Sequence, residues 1–334
     1  MTSASALRRT GTIFDRRHSP AVQSLFRLIQ SFYSHRFSEP GMVGKMLSAL
    51  GYVLTLPVFQ WLRPGKWVAT DLYGQRLMMP AEHPLPATIT EHALFNIPLG
   101  LAAGAVGASG RPVSVIDVGA NIGETVAVIE QRNPGRCVFL CVEPSPELAQ
   151  FCRLNHAANE RVTVAEAFVG ENEDQQVMLV DDGRANPSTR AVSSPTAPKL
   201  RRLDTLAADF VARHGVDLIK SDTEGYDFAV LRSAESMLRQ HKPAVFFEWY
   251  PELLLQYGER PESIFPFLSG LGYKHWVFFD AGGGLYCQIS EPTARFLDVL
   301  AKTTMRRERG SSFYFDVFGS VDQSACSRLA DSAQ

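Results

Sequence analysis

The sequence lacks the features of a disulfide-stabilised or nucleic-acid-binding protein. It has only five cysteines in 334 residues, an odd number, and no CxxC pair. Neither a disulfide scaffold nor a zinc ribbon is therefore expected, and a reducing, cytoplasmic location is the simplest interpretation. The 33 basic residues are balanced by 35 acidic ones, which gives a net charge of −2. Because there is no global basic field, we expect no nucleic-acid partner.

The sequence also contains little that would span a membrane. Residues 46–62 form an uncharged stretch of 17 residues, at the lower limit for a span, and Gly51, Pro57 and Gln60 interrupt it. We expect this stretch to pack onto the main domain; peripheral contact with a membrane surface and a short span are the alternatives. Residues 1–40 carry six arginines against two acidic residues, and no secretory signal follows them.

Apolar residues make up 45% of the chain, which is enough to build a substantial core. From residue 113 onwards, short apolar strands alternate with amphipathic helices, and this predicts an α/β fold with parallel strands joined by helical crossovers. A hairpin is predicted over 67–79. Residues 182–199 are rich in Pro, Ser, Thr and Ala and predict a long mobile loop, of the kind that often serves as a lid. The predicted organisation is a flexible basic arm (1–40), a helical and β-hairpin extension (41–110), a cofactor-binding domain (111–320) and a C-terminal tail (321–334).

The most informative passage is the turn after the first strand of that domain. Residues 115–124 read VIDVGANIGE, an apolar strand followed by two glycines and the start of a helix. Glycines let the backbone approach a ligand closely, and the first turn of a helix offers unpaired N–H donors. The passage therefore predicts a nucleotide-type cofactor site at the carboxyl ends of the strands of an open sheet.

Three residues bear on which cofactor binds there. A dinucleotide fingerprint needs G-x-G-x-x-G, but Asn121 occupies the middle position. Asp117 precedes the turn, where its charge would repel a pyrophosphate but would suit S-adenosylmethionine (SAM), which carries a sulfonium and an ammonium. Glu143, at the end of the next strand, is placed to hold the two ribose hydroxyls of either cofactor. Asn121 and Asp117 thus favour SAM over a nicotinamide dinucleotide.

Several short motifs follow one another along the predicted domain. They are DVGANIG at 117–123, VEPSP at 142–146, LDTL at 203–206, IKSDTEG at 219–225 and FFE at 246–248. In order and spacing they resemble the FkbM-type SAM-dependent methyltransferases, although Ser221 is usually apolar in that family and Asp227 is usually glutamate. The resemblance implies a class I methyltransferase (Rossmann-like) fold, with a seven-stranded, mostly parallel sheet containing one antiparallel strand. It also implies O-methylation, with sugars, glycolipids and polyketides among the substrates.

The resemblance further implies which residues bind the cofactor. Asp117 would face the methionine amino group, Glu143 would hold the ribose, and Glu166, after the third strand, would accept a hydrogen bond from the adenine amino group. The turn residues that would line the methionine and ribose are Gly119, Ala120, Asn121 and Gly123. A solvated loop acid is the alternative interpretation of Glu166.

The KSDTEG segment contains the predicted catalytic residues. In an extended strand Lys220 and Asp222 share one face, and Glu224 joins them if the extension persists. We predict that the two acids lie beside the transferred methyl group and that one of them accepts a hydroxyl proton. The alternative is an ion pair of Lys220 with Asp222 or Glu248 that only fixes the strand ends. Asp222 and Glu248 would also be the ligands of any Mg²⁺, although we expect none.

The sequence therefore predicts a SAM-dependent methyltransferase that acts on oxygen of a small-molecule or glycan acceptor. Two other functions stay open at this point. One is an NAD(P)-dependent oxidoreductase. The other is a non-catalytic scaffold of the same fold or a membrane-associated partner protein, in which residues 46–62 would matter most.

Overall fold

The computed structural model describes residues 17–37, 42–107, 111–180, 188–192, 194, 196–305 and 313–334. Its centre is one twisted sheet of eight strands. In spatial order these strands are β14 (Leu285–Ser290), β13 (His275–Asp280), β15 (Phe315–Ser320), β12 (Ala244–Trp249), β11 (Leu218–Ser221), β4 (Val113–Val118), β5 (Cys137–Val142) and β6 (Val162–Ala165).

Strand direction in this sheet follows the predicted class I pattern. The five strands β6, β5, β4, β11 and β12 are parallel to one another. Strand β15 is inserted between β12 and β13 and runs antiparallel to both. The predicted fold class is therefore confirmed, but the sheet has an eighth strand. Strand β14 pairs antiparallel with β13 through a glycine-rich turn and extends the edge of the sheet.

Smaller strands and the helices surround this sheet. The remaining strands are β1 (Arg17–His18), β2 (Lys66–Leu72), β3 (Gln75–Pro80), β7 (Phe168–Val169), β8 (Val177–Val180), β9 (Ser188–Ala191) and β10 (Leu200–Arg201). The helices of the described ranges are α1 (Pro20–Phe37), α2 (Met42–Leu62), α3 (Leu85–Glu91), α4 (Ile97–Ala105), α5 (Glu124–Arg132), α6 (Pro146–Asn155), α7 (Leu203–Leu206), α8 (Ala208–His214), α9 (Asp227–Ser233), α10 (Glu235–His241), α11 (Pro251–Gln256), α12 (Ile264–Gly270), α13 (Ala294–Met305) and α14 (Gln323–Ser332). Within these ranges, none of the helices combines the length and the apolarity that crossing a membrane requires.

Packing on both faces of the sheet explains why its central strands are so apolar. Strands β4, β5 and β12 are buried along their whole length, as expected when helices cover both sides of a parallel sheet. Successive residues of β4 point to opposite faces, so Val115 and Ile116 belong to two different apolar clusters. The carboxyl ends of the parallel strands therefore share one edge, where the loops that carry the predicted site residues meet.

The N-terminal part of the chain is also packed, from residue 17 onwards. The predicted hairpin is present as β2 and β3. Residues 1–16 of the predicted basic arm lie outside the described residues, but residues 20–37 form α1 rather than an arm. Val22, Phe26 and Ile29 lie on one buried face of α1, and the side chain of Gln23 bonds the backbone N–H and carbonyl of Ala69 at 2.8 and 2.9 Å. The helical period of these apolar residues explains the packing.

Two other segments contain regular secondary structure where the sequence analysis predicts a loop and a tail. Residues 181–187 of the predicted lid lie outside the described residues, and residues 188–191 form strand β9, which pairs with β8. Residues 323–332 of the predicted tail form α14, which packs against α4 through its buried face. Arg328 Nη2 donates a 2.7 Å hydrogen bond to the carbonyl of Ala105 at this contact. The predicted boundaries between the four parts of the chain stay a prediction.

Candidate active site

A cavity of about 1060 Å³ lies at the edge where the parallel strands end. It is bounded by loops after β4, β5, β11 and β12, by the residues before β15, and by residues of the N-terminal extension on the opposite side. The predicted site residues that line it are Gly119, Asn121, Glu143, Asp222, Glu224 and Glu248. Sequence motifs far apart in the chain thus meet in one cavity, as the carboxyl-end rule predicts.

The glycine turn brings two of these loops into contact. Gly119 has φ +77°, and a Cβ atom at this position would lie 1.9 Å from the backbone oxygen of Asp222. Only glycine therefore allows the loop after β4 to pack against the loop after β11. Asn121 also has a positive φ, of 49°, and this conformation turns its backbone N–H toward Glu143.

Glu143 is held rigidly at the wall of the cavity. Its two carboxylate oxygens accept hydrogen bonds from the backbone N–H groups of Asn121 and Ser145, both at 2.8 Å. Each oxygen keeps a further lone pair, so the carboxylate has acceptor capacity for two hydroxyls. Burial raises the pKa of Glu143 to about 7, although the two N–H donors act in the opposite direction.

Asp117 and Lys220 do not reach the cavity, which corrects the predicted roles of both residues. Asp117 is fully buried, and its Oδ1 lies 3.0 Å from Lys220 Nζ. The ammonium also donates a 3.0 Å hydrogen bond to the carbonyl of Gly119 and lies 3.7 Å from Asp222 Oδ2. The ion-pair interpretation of Lys220 therefore describes its contacts, with Asp117 rather than Glu248 as the nearest carboxylate. The Asp117 charge is compensated inside the protein.

The other predicted cofactor residues, Ala120, Gly123 and Glu166, do not line the cavity. The Ala120 side chain is fully buried. Gly123 accepts a hydrogen bond of 2.7 Å from His156 Nε2 at its carbonyl, and its φ of +85° starts helix α5. Glu166 is half-exposed and forms an ion pair with Arg153. The contacts of Glu166 agree with its alternative interpretation as a solvated acid in a loop.

The two departures from the family pattern form one hydrogen bond. Ser221 Oγ donates to Asp227 Oδ1 at 2.6 Å. The same carboxylate accepts from the backbone N–H groups of Thr223 and Gly225, at 3.1 and 3.3 Å. Fully buried Asp227 therefore fixes the loop that presents Asp222 and Glu224 to the cavity. Burial raises the pKa of Asp227 to about 6.

Comparison with known proteins agrees with this geometry. Residues 117–275 match the family model described as Methyltransferase FkbM domain. These residues form an FkbM methyltransferase domain. The resemblance expected from the motifs is thereby confirmed. No curated protein matches the chain.

Several solved structures are similar to the chain at low identity. The methyltransferase FkbM from Methylobacillus flagellatus KT is 14% identical with a TM-score of 0.41, and the alignment covers 90% of this chain and 58% of that one. This chain thus spans less than two thirds of that relative. The METTL16 MTase domain is 12% identical over 91% and 93% of the two chains, with a TM-score of 0.42. For M. jannaschii TYW2 in complex with AdoMet the identity is 11%, the coverage 76% and 84%, and the TM-score 0.37.

Glu248 lies at the far end of the FkbM site, on the last residues of β12. It is 8% exposed, and among the described residues its Oε2 has no hydrogen-bond partner. Burial raises the pKa of Glu248 well above its ordinary value, and the nearby charges of Asp222 and Glu224 raise it further. Asp316 on β15 is its register partner, and burial raises the pKa of Asp316 to about 8. The described residues contain no group of three or more His, Cys, Asp or Glu side chains arranged to hold a metal ion.

Two cavity-lining residues that adjoin the glycine turn were not predicted from the sequence. Glu124 follows the glycine turn, lines the cavity and is 9% exposed, and its Oε2 has no partner among the described residues. His83 lies in the N-terminal extension, where its Nε2 is 3.0 Å from Asn121 Oδ1. Burial lowers the pKa of His83 to about 4, so the imidazole is neutral near pH 7. The position of Glu124 next to the turn is a signal that could have found it; the sequence around His83 carries none.

The raised pKa of Glu124 predicts that the stability of the protein depends on pH. Burial raises this pKa from 4.5 to about 8, so between these values the folded chain keeps a proton that the unfolded chain has lost. The free energy of unfolding should therefore decrease as pH rises through this range, by roughly 1.4 kcal/mol per pH unit for this group. Glu124→Gln should remove that part of the slope in urea denaturation between pH 5 and pH 8.

Glu235→Gln is a matched control, because Glu235 is exposed and pairs with Arg239 on the surface. It should leave the slope of the wild type unchanged. A Glu124→Gln chain whose unfolding free energy keeps the wild-type pH dependence would contradict the buried, unpartnered state of Glu124.

Proposed function

We propose that the chain transfers a methyl group from SAM to a hydroxyl oxygen of a small molecule, sugar or glycolipid. The FkbM domain and the class I fold support a SAM-dependent methyltransferase in general; the choice of oxygen and of acceptor class belongs to the proposal. The observation that carries it is Glu143, a buried carboxylate held by two backbone N–H donors at the wall of a large cavity.

The residues of the cavity fit SAM. Glu143 has the acceptor capacity for the ribose diol, and the unpartnered oxygen of Glu124 is suited to an ammonium. Glu143, whose two backbone N–H donors favour its ionised form, would repel a pyrophosphate. The charge argument first made for Asp117 is thus carried by a residue that lines the cavity. When bound, SAM supplies an electrophilic methyl group, so that the acceptor oxygen forms a bond to carbon while the carbon–sulfur bond breaks and the sulfonium becomes a neutral thioether.

Glu224 is the residue that we assign as the base. Its backbone φ of 54° lies in the left-handed region, which is costly for a residue with a side chain and is retained mainly where the surroundings require it. A carboxylate that lines the cavity can accept the hydroxyl proton, and we assign this role to Glu224. Holding the acceptor in line with the methyl group supplies the rest of the acceleration.

The two competing functions are less compatible with the cavity. A dinucleotide would place two phosphates near Glu143, whose carboxylate would repel them. A non-catalytic scaffold would have no use for a buried carboxyl group left without a partner, since such a group lowers stability.

Isothermal titration calorimetry should show binding of SAM and of its demethylated product, and no binding of NAD. Glu143→Ala should weaken SAM binding by about tenfold or more, because the ribose loses its acceptor and Asn121 loses its anchor. Glu235→Ala is the control and should bind as the wild type does. Binding of NAD without binding of SAM would refute the proposed function.

Glu224→Gln should lower the turnover number by about 100-fold while SAM affinity stays within a few fold, because the amide cannot accept the proton. Turnover is measured as transfer of tritium from the methyl group of SAM. Asp298→Asn, on the surface of α13, is the control for a general effect of lost charge. Equal turnover of Glu224→Gln and wild type would remove Glu224 as the base.

A further inference from the structure

The half of the cavity away from Glu143 is rich in acidic side chains. Eight carboxyl side chains line the whole cavity, and no lysine or arginine is among its described lining residues. Glu124 and Glu143 lie on the cofactor side, after β4 and β5. The loops after β11 and β12 add Asp222, Glu224 and Glu248 on the other side. Under the proposed function, an acceptor held beside Glu224 would meet these acidic residues.

Glu248 is the observation that points to a ligand. It is more than nine-tenths buried and lines the cavity, and its Oε2 has no hydrogen-bond partner among the described residues. A buried acid in this state is costly unless a cation or a donor reaches it when the site is filled. Tyr250 and Tyr314 line the same region with their rings 5.7 Å apart, and aromatic faces beside a carboxylate are a common environment for an ammonium group.

We propose that the methyl acceptor carries a protonated amino group, which binds to Glu248 beside the two tyrosines, in addition to the hydroxyl that is methylated. This inference rests on the proposed function. A protonated amine has no lone pair, so it cannot attack the methyl carbon, and the carboxylates that keep it protonated direct the reaction to the hydroxyl. The acceptor class is therefore an amino sugar or amino alcohol, and phosphorylated or carboxylated acceptors are disfavoured.

The charge of the acceptor can be measured before its identity is known. A small-molecule extract of the cells that make this protein is divided into cation-exchange-retained, anion-exchange-retained and unretained fractions. Each fraction is incubated with the full chain and SAM carrying tritium in its methyl group. We expect label in the fraction retained by the cation exchanger, and treatment of that fraction with acetic anhydride in water, which neutralises amines, should abolish labelling.

Each outcome has a distinct meaning. Label confined to the neutral or anionic fraction, or label that survives acetylation, would overturn this inference and leave the methyltransferase in place. No label in any fraction would refute the proposed function and the inference with it. Labelling that EDTA abolishes and Mg²⁺ restores would show that the acids hold a metal instead of an amine.

Glu248→Gln tests the residue itself. It should raise KM for the labelled acceptor by about tenfold or more, because the ammonium loses its charged partner, while the dissociation constant of SAM stays within about twofold. Asp298→Asn is the control and should leave both values unchanged. An unchanged KM for Glu248→Gln would overturn the assignment, and the acetylation experiment decides the inference independently should this variant fail to fold.

A second inference rests on a different part of the molecule, helix α2. Leu54, Val58 and Trp61 are 64%, 49% and 80% exposed and follow one another at helical spacing, and we call these three residues the apolar stripe. Phe59, on the inward side of α2, is 4% exposed and packs against Phe26 of α1. Between residues 53 and 62 the helix thus packs one face onto the protein and leaves apolar side chains exposed on another.

We infer that the apolar stripe binds the surface of an anionic membrane. Lys45 is the one charged residue in the sequence of α2, and Arg63 follows the helix directly. A tryptophan-bearing helix with basic and no acidic residues along it suits anionic headgroups. The charge complementarity selects a lipid surface over a neutral apolar partner.

Tryptophan fluorescence reports this contact directly. Of the four tryptophans, Trp67, Trp249 and Trp276 are at most 6% exposed, so Trp61 is the one that changes environment on binding. Its emission should shift to shorter wavelength with vesicles of phosphatidylcholine and phosphatidylglycerol in equal amounts, but not with phosphatidylcholine alone. Raised ionic strength should weaken the shift.

The double variant Leu54→Gln, Val58→Gln should reduce the vesicle partition coefficient by about tenfold, because apolar area is lost. Val299→Gln is the control, since Val299 is 55% exposed on α13, and it should bind as the wild type does. Absence of a shift with anionic vesicles would overturn the inference. A stripe-dependent dimer in analytical ultracentrifugation, without vesicle binding, would identify a second copy as the occupant instead.

Discussion

A buried ion pair between adjacent strands organises the site. Asp117 and Lys220 are register partners on β4 and β11, and the same ammonium reaches the carbonyl of Gly119. One cation therefore fixes the last residues of both strands, and with them the two loops that meet where Gly119 contacts the backbone of Asp222. Removing either partner would leave an uncompensated charge inside the sheet, which is far more costly than the pair itself.

Because this pair is neutral overall, the negative character of the cavity comes from other residues. Glu124 and Glu248 each keep a carboxylate oxygen without a partner among the described residues, and they lie at opposite halves of the cavity. Glu143, which follows β5 and so lies beyond Glu124 in strand order, accepts hydrogen bonds from two backbone N–H donors. Under the proposed function, these acids give the cavity two positions for positive charge, one on the donor side and one on the acceptor side.

Much of this arrangement could be predicted from the sequence, because it depends on local pattern and topology. The strand–helix alternation predicts the parallel sheet, and parallel strands necessarily bring Asn121, Glu143 and Asp222 to one edge. The direction of Asp117 could not be predicted, since its partner is 103 positions away and only the strand register reveals it. Helix α1 was missed because its arginines outweighed the buried period of Val22, Phe26 and Ile29.

The hydrogen bond between His83 and Asn121 has a consequence for how the chain is organised. His83 precedes the FkbM domain in sequence, yet it touches the turn that holds Glu143, and Leu85 and His92 line the same cavity. Residues 83–96 of the N-terminal segment therefore form one wall of the cavity. A ligand that restrains the glycine turn should also restrain the hairpin and α3. Binding in the cavity and packing of the N-terminal segment should therefore be coupled.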